Sequence, residues 1–344
     1  MKDISLSARR GGCDELAGQS NLGCSVVIPV YNSERILSEL VARLDEVLSG
    51  LTDRFEAILV NDGSRDGSWD MICGLAETHP WVRGMNLMRN YGQHSALLCG
   101  IQAARYGVIV TIDDDLQHPP EEIPKLLVKL AEGYDVVYGR PEEETHGLWR
   151  DLASQITKAA LQSAMGAETA RHASAFRAFR SQVRDAFVGY RGMFVSIDVL
   201  LTWGTTRFSA IPVRHDPRRS GESQYTFRKL VTHALNMMTG FSVVPLELAS
   251  LIGFVFTLFG FGILVFVVGR YLIQGGSVPG FSFLASIIAI FSGAQLFALG
   301  IIGEYLARMH FRMMERPAYV VRSVTNMGSV MEGRGYERGL SAQD

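Results

Sequence analysis

The sequence predicts an α/β protein: a mostly parallel sheet domain followed by interfacial amphipathic helices and a two-helix transmembrane hairpin. Three observations carry that prediction. Between residues 24 and 140, short β-branched runs alternate with stretches of helical periodicity, the pattern of parallel strands joined by crossover helices on both faces of a sheet. Polar motifs follow directly on the apolar runs, where such sheets bind ligands. The last third holds two stretches without a charge, "ASLIGFVFTLFGFGILVFVVG" and "GFSFLASIIAIFSGAQLFALGIIG". Each is long enough as a helix to cross a bilayer core.

Taken in order, residues 1–22 are polar and contain Gly and Ser without an apolar core, so a flexible tail is expected rather than a signal peptide. An α/β sheet domain is expected over 23–217. Its strands are "CSVVIPVY", "FEAILVND", "VRGMNLM", "GVIVTIDD" and "YDVVYG". "SERILSELVARLDEVLSG" sets Ile36, Leu37, Leu40, Leu44 and Val47 at helical spacing. Farther on, "LWRDLASQITKAALQSAMG" and "YTFRKLVTHALNMM" are amphipathic. They suit either the membrane interface or the core of the soluble domain. A juxtamembrane helix is assigned to 218–243, the hairpin to 244–306 with spans at about 248–272 and 280–303, and a cytoplasmic tail to 307–344. The competing reading of the two spans is a pair of buried helices in a large soluble core. Arg214, Arg218, Arg219, Arg228 and Lys229 precede the first span, and Arg308, Arg312, Arg316 and Arg322 follow the second. Basic flanks predict that the sheet domain and both termini lie on the cytoplasmic side of the cell inner (plasma) membrane.

Hydrophobic residues make up 47% of the 344, and the formal charge is only -2, which gives nucleic acid no bulk attraction. Cys13, Cys24, Cys73 and Cys99 have no zinc-type spacing, as expected of reduced thiols.

"VIVTIDDDLQHPP" sets Asp113, Asp114 and Asp115 side by side where a buried strand emerges. Like charges there repel and lose solvation unless something positive joins them. Asp113 and Asp115 form a D-x-D pair followed by Gln117, oxygen donors suited to Mg2+ or Mn2+, which characteristically share a site with substrate phosphates. Solvated loop carboxylates are the alternative. In "VNDGSRDGS", Asp62 can accept hydrogen bonds from a nucleobase edge, or simply start a tight turn with Gly63 and Gly67. In "PVYNSE", Tyr31 offers stacking and Asn32 and Glu34 offer base or ribose contacts.

In combination, "VVIPVYNSE", "LVNDGSRDGS", "NYGQHSALLCGI", "TIDDDLQHPPEEIP", "DVVYGR" and "DPRRSGESQY" resemble the family 2 glycosyltransferases of the polyprenyl-phosphate type, over residues 24–322. That group includes bactoprenol glucosyltransferases, undecaprenyl-phosphate formamido-arabinose transferases and dolichol-phosphate mannose synthases. The resemblance implies a GT-A fold, a nucleotide-sugar donor, a divalent metal, a polyprenyl phosphate acceptor such as undecaprenyl phosphate, a lipid bilayer setting, and a homo-oligomer with a tetramer among its states. It assigns the nucleotide-sugar to Pro29, Tyr31, Asn32, Glu34, Asp62, Gly63, Ser64 and Asp113, and the metal to Asp113, Asp115 and Gln117. The acceptor phosphate falls to Arg140, Arg150, Arg218 and Ser223, with arginine forks matched to phosphate oxygens. Asp113, Asp115, Arg140 and Arg177 are the expected catalytic set.

One position departs from the pattern. Relatives often carry an aspartate before Phe-Arg, where this chain has Ala175 ahead of Phe176 and Arg177. A phosphate monoester is largely dianionic at neutral pH, so its oxygen can attack the sugar with inversion and no side-chain base. Arg177 is then expected to bind phosphate. Two rival readings are a processive polysaccharide synthase, whose Q-x-x-R-W motif is absent from the sequence, and a non-catalytic scaffold. "FSVVPLELASLIGF" and "IFSGAQLFALGIIGEYLAR" look closest to the bacterial branches and so favour a UDP-sugar. The sugar itself is not legible.

Overall fold

In the computed structural model, the described residues are 23–141, 173–190, 192, 195–216, 244–274, 280–314 and 316–326. The first β-branched run becomes β1 (Cys24–Val30), buried throughout. Alternation along it serves two cores: Val26, Ile28 and Val30 join one apolar cluster, while Val27 joins the other. That is the period-two signature of a strand covered on both faces. α1 (Leu37–Ser49), β2 (Phe55–Asn61), α2 (Ser68–Thr78), β3 (Val82–Leu87), α3 (Gln93–Ala103), β4 (Val108–Thr111), α4 (Ile123–Ala131) and β5 (Val136–Pro141) follow. Helices α1, α2 and α4 fill the first cluster, whereas α3 fills the second with Ala96, Leu97, Leu98 and Ile101.

Three strands went unread in the sequence: β6 (Arg177–Arg180), β7 (Phe208–Val213) and β8 (Val321–Val324). The sheet runs β7-β5-β6-β4-β1-β2-β3-β8. β6 is antiparallel to β4 and β5, and β8 is antiparallel to β3; the remaining pairs are parallel. The fold class is therefore the predicted one, with two reversed strands. Between β6 and β7 come α5 (Ser181–Arg184) and α6 (Ile197–Gly204), whose Ile197, Leu200 and Leu201 pack into the second cluster. Cys24, Cys73 and Cys99 are free thiols, and burial pushes Cys24 and Cys99 up to about 12.

The uncharged stretches form α7 (Val244–Gln274) and α8 (Phe281–Met313), of 31 and 33 residues. The second helix runs ten residues past its expected end at 303, and its apolar span is Ile290–His310. Phe254, Phe261, Phe266, Leu296 and Leu299 are exposed along them. Apolar surface on this scale is what a bilayer covers, and the reading as core helices fails on that exposure. β8 lies inside the stretch expected to be a tail, and instead completes the sheet.

Candidate active site

Reversal of β6 means that its start, together with the ends of β1, β2, β4, β5 and β7, meets at one edge. The crevice opens between β1 and β4, where strand order changes direction, and Pro29 shapes it. Val27 accepts from the Ile112 amide, while Val30 accepts from Asp62 on the opposite side. By strand alternation the missing N–H of Pro29 faces β4. The β1–β4 ladder ends at Val27–Thr111, so the proline costs no paired bond and the strands part just beyond it. Pro29 itself is buried.

β4 then delivers the three aspartates. The Gln93 side-chain amide donates to Asp113 (Oδ1, 2.6 Å). Asp114 accepts from the Tyr31 backbone N–H (3.2 Å) and the Ser33 hydroxyl (2.6 Å), both at Oδ2. The middle aspartate is thus a tie between the β4 and β1 loops. Asp115 accepts from the Gln117 backbone N–H (3.1 Å). Between these two, Leu116 takes a left-handed φ of 58° with its side chain 2% exposed. A non-glycine residue there costs roughly 1–2 kcal/mol, which the buried leucine offsets, and the kink folds Gln117 back over Asp115. Burial, then Asp115 and Asp114, pushes Asp113 up to about 7, against an opposing pull from Arg177. Burial pushes Asp114 up to about 6, opposed by its bonds to Ser33 and Tyr31.

Among the described residues, no three His, Cys, Asp or Glu side chains converge as a protein-only metal cage. Asp113, Asp115 and Gln117, all with side-chain oxygens, lie together at this acidic edge. That fits a hard divalent cation whose other ligands come from phosphates and water.

The β1 and β2 loops are zipped together. Asn32, at φ 55°, donates its amide to Ser64 Oγ, and its side-chain oxygen accepts from Arg65 N–H. Glu34 accepts from Gly67 N–H, at the start of α2. Base or ribose contacts were expected of both side chains, which also serve here to close the loops. Asp62 also closes a loop. It is 3% exposed and accepts from the backbone amides of Tyr91 (2.7 Å) and Gly92 (2.8 Å). Burial raises its pKa, and those two amides oppose the rise. Gly63 lies at φ 66°, and a Cβ there would meet the Asn90 nitrogen at 2.5 Å. Only glycine lets loop 88–92 sit this close to Asp62. Tyr31 remains exposed at 40%, free to stack.

Arg177 differs most from expectation. It is 1% exposed and its guanidinium pairs with Asp198 of α6 at 2.5 Å. Tyr138 lies beneath it, with 5.8 Å between guanidinium and ring centroid. Arg177 is a buried cation of the core whose Nε lacks a hydrogen-bond partner among the described residues, and it stands behind Asp113, whose charged form it favours. Arg140 is the penultimate residue of β5, half-buried, with an Nε that has no hydrogen-bond partner among the described residues. Arg150, Arg218 and Ser223 lie outside the described residues, as do both amphipathic segments.

Sequence reasoning passed over Ser33, Gln93, Asp114, Asp198 and His118. The His118 ring stacks on Phe176 at 5.4 Å and meets His215 edge-on at 4.8 Å. Burial, then His215, lowers its pKa to about 4, with Asp115 opposing. The signal for Gln93 was present in "NYGQHS", whereas the Arg177–Asp198 pair has no spacing signature.

The family description "Glycosyl transferase family 2" matches residues 25–197. Among similar proteins, an undecaprenyl-phosphate 4-deoxy-4-formamido-L-arabinose transferase of Pseudomonas aeruginosa (strain LESB58) is 36% identical over 303 residues, 87% of this chain and 89% of the relative. The enzyme of the same name from Proteus mirabilis (strain HI4320) is 35% identical over 308 residues, 88% of this chain and 94% of its own. Glucosyl-3-phosphoglycerate synthase from Mycobacterium tuberculosis, crystallised with Mn2+, uridine-diphosphate and phosphoglyceric acid, shares the fold at TM-score 0.50 and 16% identity. The match covers 66% of this chain and 80% of that one.

Proposed function

This chain belongs to glycosyl transferase family 2, and from that premise we propose that it transfers one sugar from a UDP-sugar to undecaprenyl phosphate, with inversion, at the cytoplasmic face of the plasma membrane. The observation that carries the reading is the cluster of Asp113, Asp114 and Asp115 at the β1–β4 switch point, where the two strands part. Support comes also from relatives that match over both the sheet domain and the apolar helices, and whose names specify undecaprenyl phosphate as acceptor. Those names put 4-deoxy-4-formamido-L-arabinose first among sugars to try. The basic flanks of α7 and α8 favour the cytoplasmic orientation. A homo-oligomer belongs to the proposal and is checked by the mass of the detergent-solubilised particle.

Asp113, Asp115 and Gln117 would hold Mg2+ or Mn2+, whose charge, when bound, offsets that of the donor diphosphate. The chain's own residues do the rest. Tyr31 stacks on the nucleobase. The zipped loops around Asn32, Glu34 and Ser64 fix the β1 and β2 ends against which the nucleotide lies. Arg140, with Arg150, Arg218 and Ser223, binds the lipid phosphate, whose dianionic oxygen attacks the anomeric carbon as the bond to the diphosphate breaks. No proton needs removing from that nucleophile, so Ala175 is no obstacle. Catalysis is then positioning and charge stabilisation.

The test is nucleoside diphosphate release by purified protein in detergent, with undecaprenyl phosphate, Mn2+ or Mg2+, and a panel of UDP- and GDP-sugars. Lipid-dependent UDP release from one donor, abolished by Asp115→Ala, supports the reading. Metal-dependent UDP binding with no turnover on any donor would instead favour the non-catalytic scaffold.

A further inference from the structure

The chain leaves the second apolar helix at Met313 and within a few residues rejoins the sheet at its nucleotide side. Met88 donates its amide to Val320 (2.9 Å), and Arg322 donates through a guanidinium nitrogen to the Met88 carbonyl (3.2 Å). β8 pairs with β3 through Met85–Val324, Asn86–Ser323 and Leu87–Val321. Ala318 is buried in the second apolar cluster, and the Tyr319 hydroxyl donates to Gln102 Oε1 of α3 at 2.5 Å. The far end is locked. Gly84 and Thr325 exchange bonds at 2.8 and 2.9 Å, and the Asn326 side-chain amide faces the carbonyls of Ala76, Pro80 and Val82. This is an edge strand held at both ends, a far stronger attachment than a tail needs.

Loop 88–92 begins where that strand ends. Its Tyr91 and Gly92 amides are the two donors that hold Asp62, and its Asn90 packs on Gly63. We propose that residues 318–326 form a strap that holds loop 88–92 against Asp62, so that the seat of the apolar hairpin is carried mechanically into the nucleotide site. Arg322 and Asn326 are positioning residues in this scheme: both act on loop 88–92, which in turn holds Asp62. The nucleotide half of the inference rests on the donor-binding reading above; the strap-to-loop half does not.

Two measurements on the full-length protein in detergent separate these halves. Hydrogen exchange of residues 82–92 reports the loop, and UDP titration with Mn2+ reports the site. Arg322→Ala removes only an exposed contact to Met88 and should leave the fold intact, while Asn326→Ala unlocks the far end. The expected result is tenfold or faster exchange at 88–92 in both variants and a UDP Kd weakened about 3- to 10-fold. Retention of the melting transition distinguishes this from global loosening. Faster exchange in β8 with unchanged exchange at 88–92 overturns the strap. A loosened loop with unchanged UDP affinity overturns its link to the site. Failure of the wild type to bind UDP would sink the donor reading instead, leaving exchange to judge the strap alone.

Discussion

The two ends of the parallel strands treat buried carboxylates in opposite ways. At the amino end, Glu56 is 3% exposed and fully provided for. One oxygen accepts from the Ser25 hydroxyl and the Arg105 amide, and the other meets the Arg83 guanidinium at 2.7 Å. At the carboxyl end, three consecutive aspartates share a half-buried crevice, and the nearby cation Arg177 is already committed to Asp198. The first arrangement is a finished structural ion pair. The second crowds three carboxylates at one strand end, with Asp113 and Asp114 pushed up by burial, the kind of perturbation that clusters at functional sites. Crowding of like charges, rather than burial of charge itself, separates scaffold from candidate site here.

Removing the finished pair should give the largest effect. Glu56→Ala strands Arg83 in the interior, and urea unfolding should show a loss of about 3–5 kcal/mol, with UDP affinity of the folded fraction unchanged. A loss under 1 kcal/mol would dissolve the contrast. Asp115→Ala should do the reverse: turnover falls roughly 10^2- to 10^3-fold, the scale of losing one transition-state electrostatic group, while the melting temperature holds or rises.

Acidity sharpens the comparison next. Asp113 at about 7 and Asp114 at about 6 lie above their unfolded value of 3.8. The folded state therefore binds more protons from about pH 4 to 7, and the stability these groups lend is full below pH 4 and lost as pH rises through 6–7. His118, lowered to about 4, acts oppositely, withdrawing stability as pH falls from 6.5 toward 4. In a His118→Phe background the carboxylate effect stands alone. Mn2+ should then raise the melting temperature by several degrees more at pH 8 than at pH 5.5, because protons compete for the same oxygens. Equal shifts at both pH values would contradict metal binding by these carboxylates. The smallest effect is expected at the tie between loops: Asp114→Ala should weaken UDP binding about 3- to 10-fold, near 1 kcal/mol for its hydrogen bonds. Asp114→Asn, which keeps an acceptor for Ser33, should recover part of that.

Legibility followed the range of the physics. β1 to β5 were readable because Val26, Ile28 and Val30 or Val108 to Thr111 are locally apolar and β-branched. β6, "RAFR", carries an arginine at each end and is a strand only because β4 and β5 flank it. β8, "VRSV", has no strand signal without its partner some 240 residues earlier. The acidic crevice could be read from three adjacent letters. What Asn32, Glu34, Asp62 and Asp114 do could not, since each closes a bond to a loop 29 to 83 residues away. The Arg177–Asp198 pair was unreadable for the same reason: Asp198 sits on a helix whose packing alone brings the two together.

The late position of β8 also has a consequence for biogenesis. Gly84 and Thr325 are 241 residues apart, and both long apolar helices are synthesised between them. On the ribosome, β3 must wait with an open edge until that hydrophobic material has emerged and found its own surroundings. Pairing at such separation is slow, and an open edge invites wrong partners. Completion of the sheet is therefore a late assembly event, and a nascent chain that fails to house its apolar helices would also be one whose enzyme domain stays unfinished.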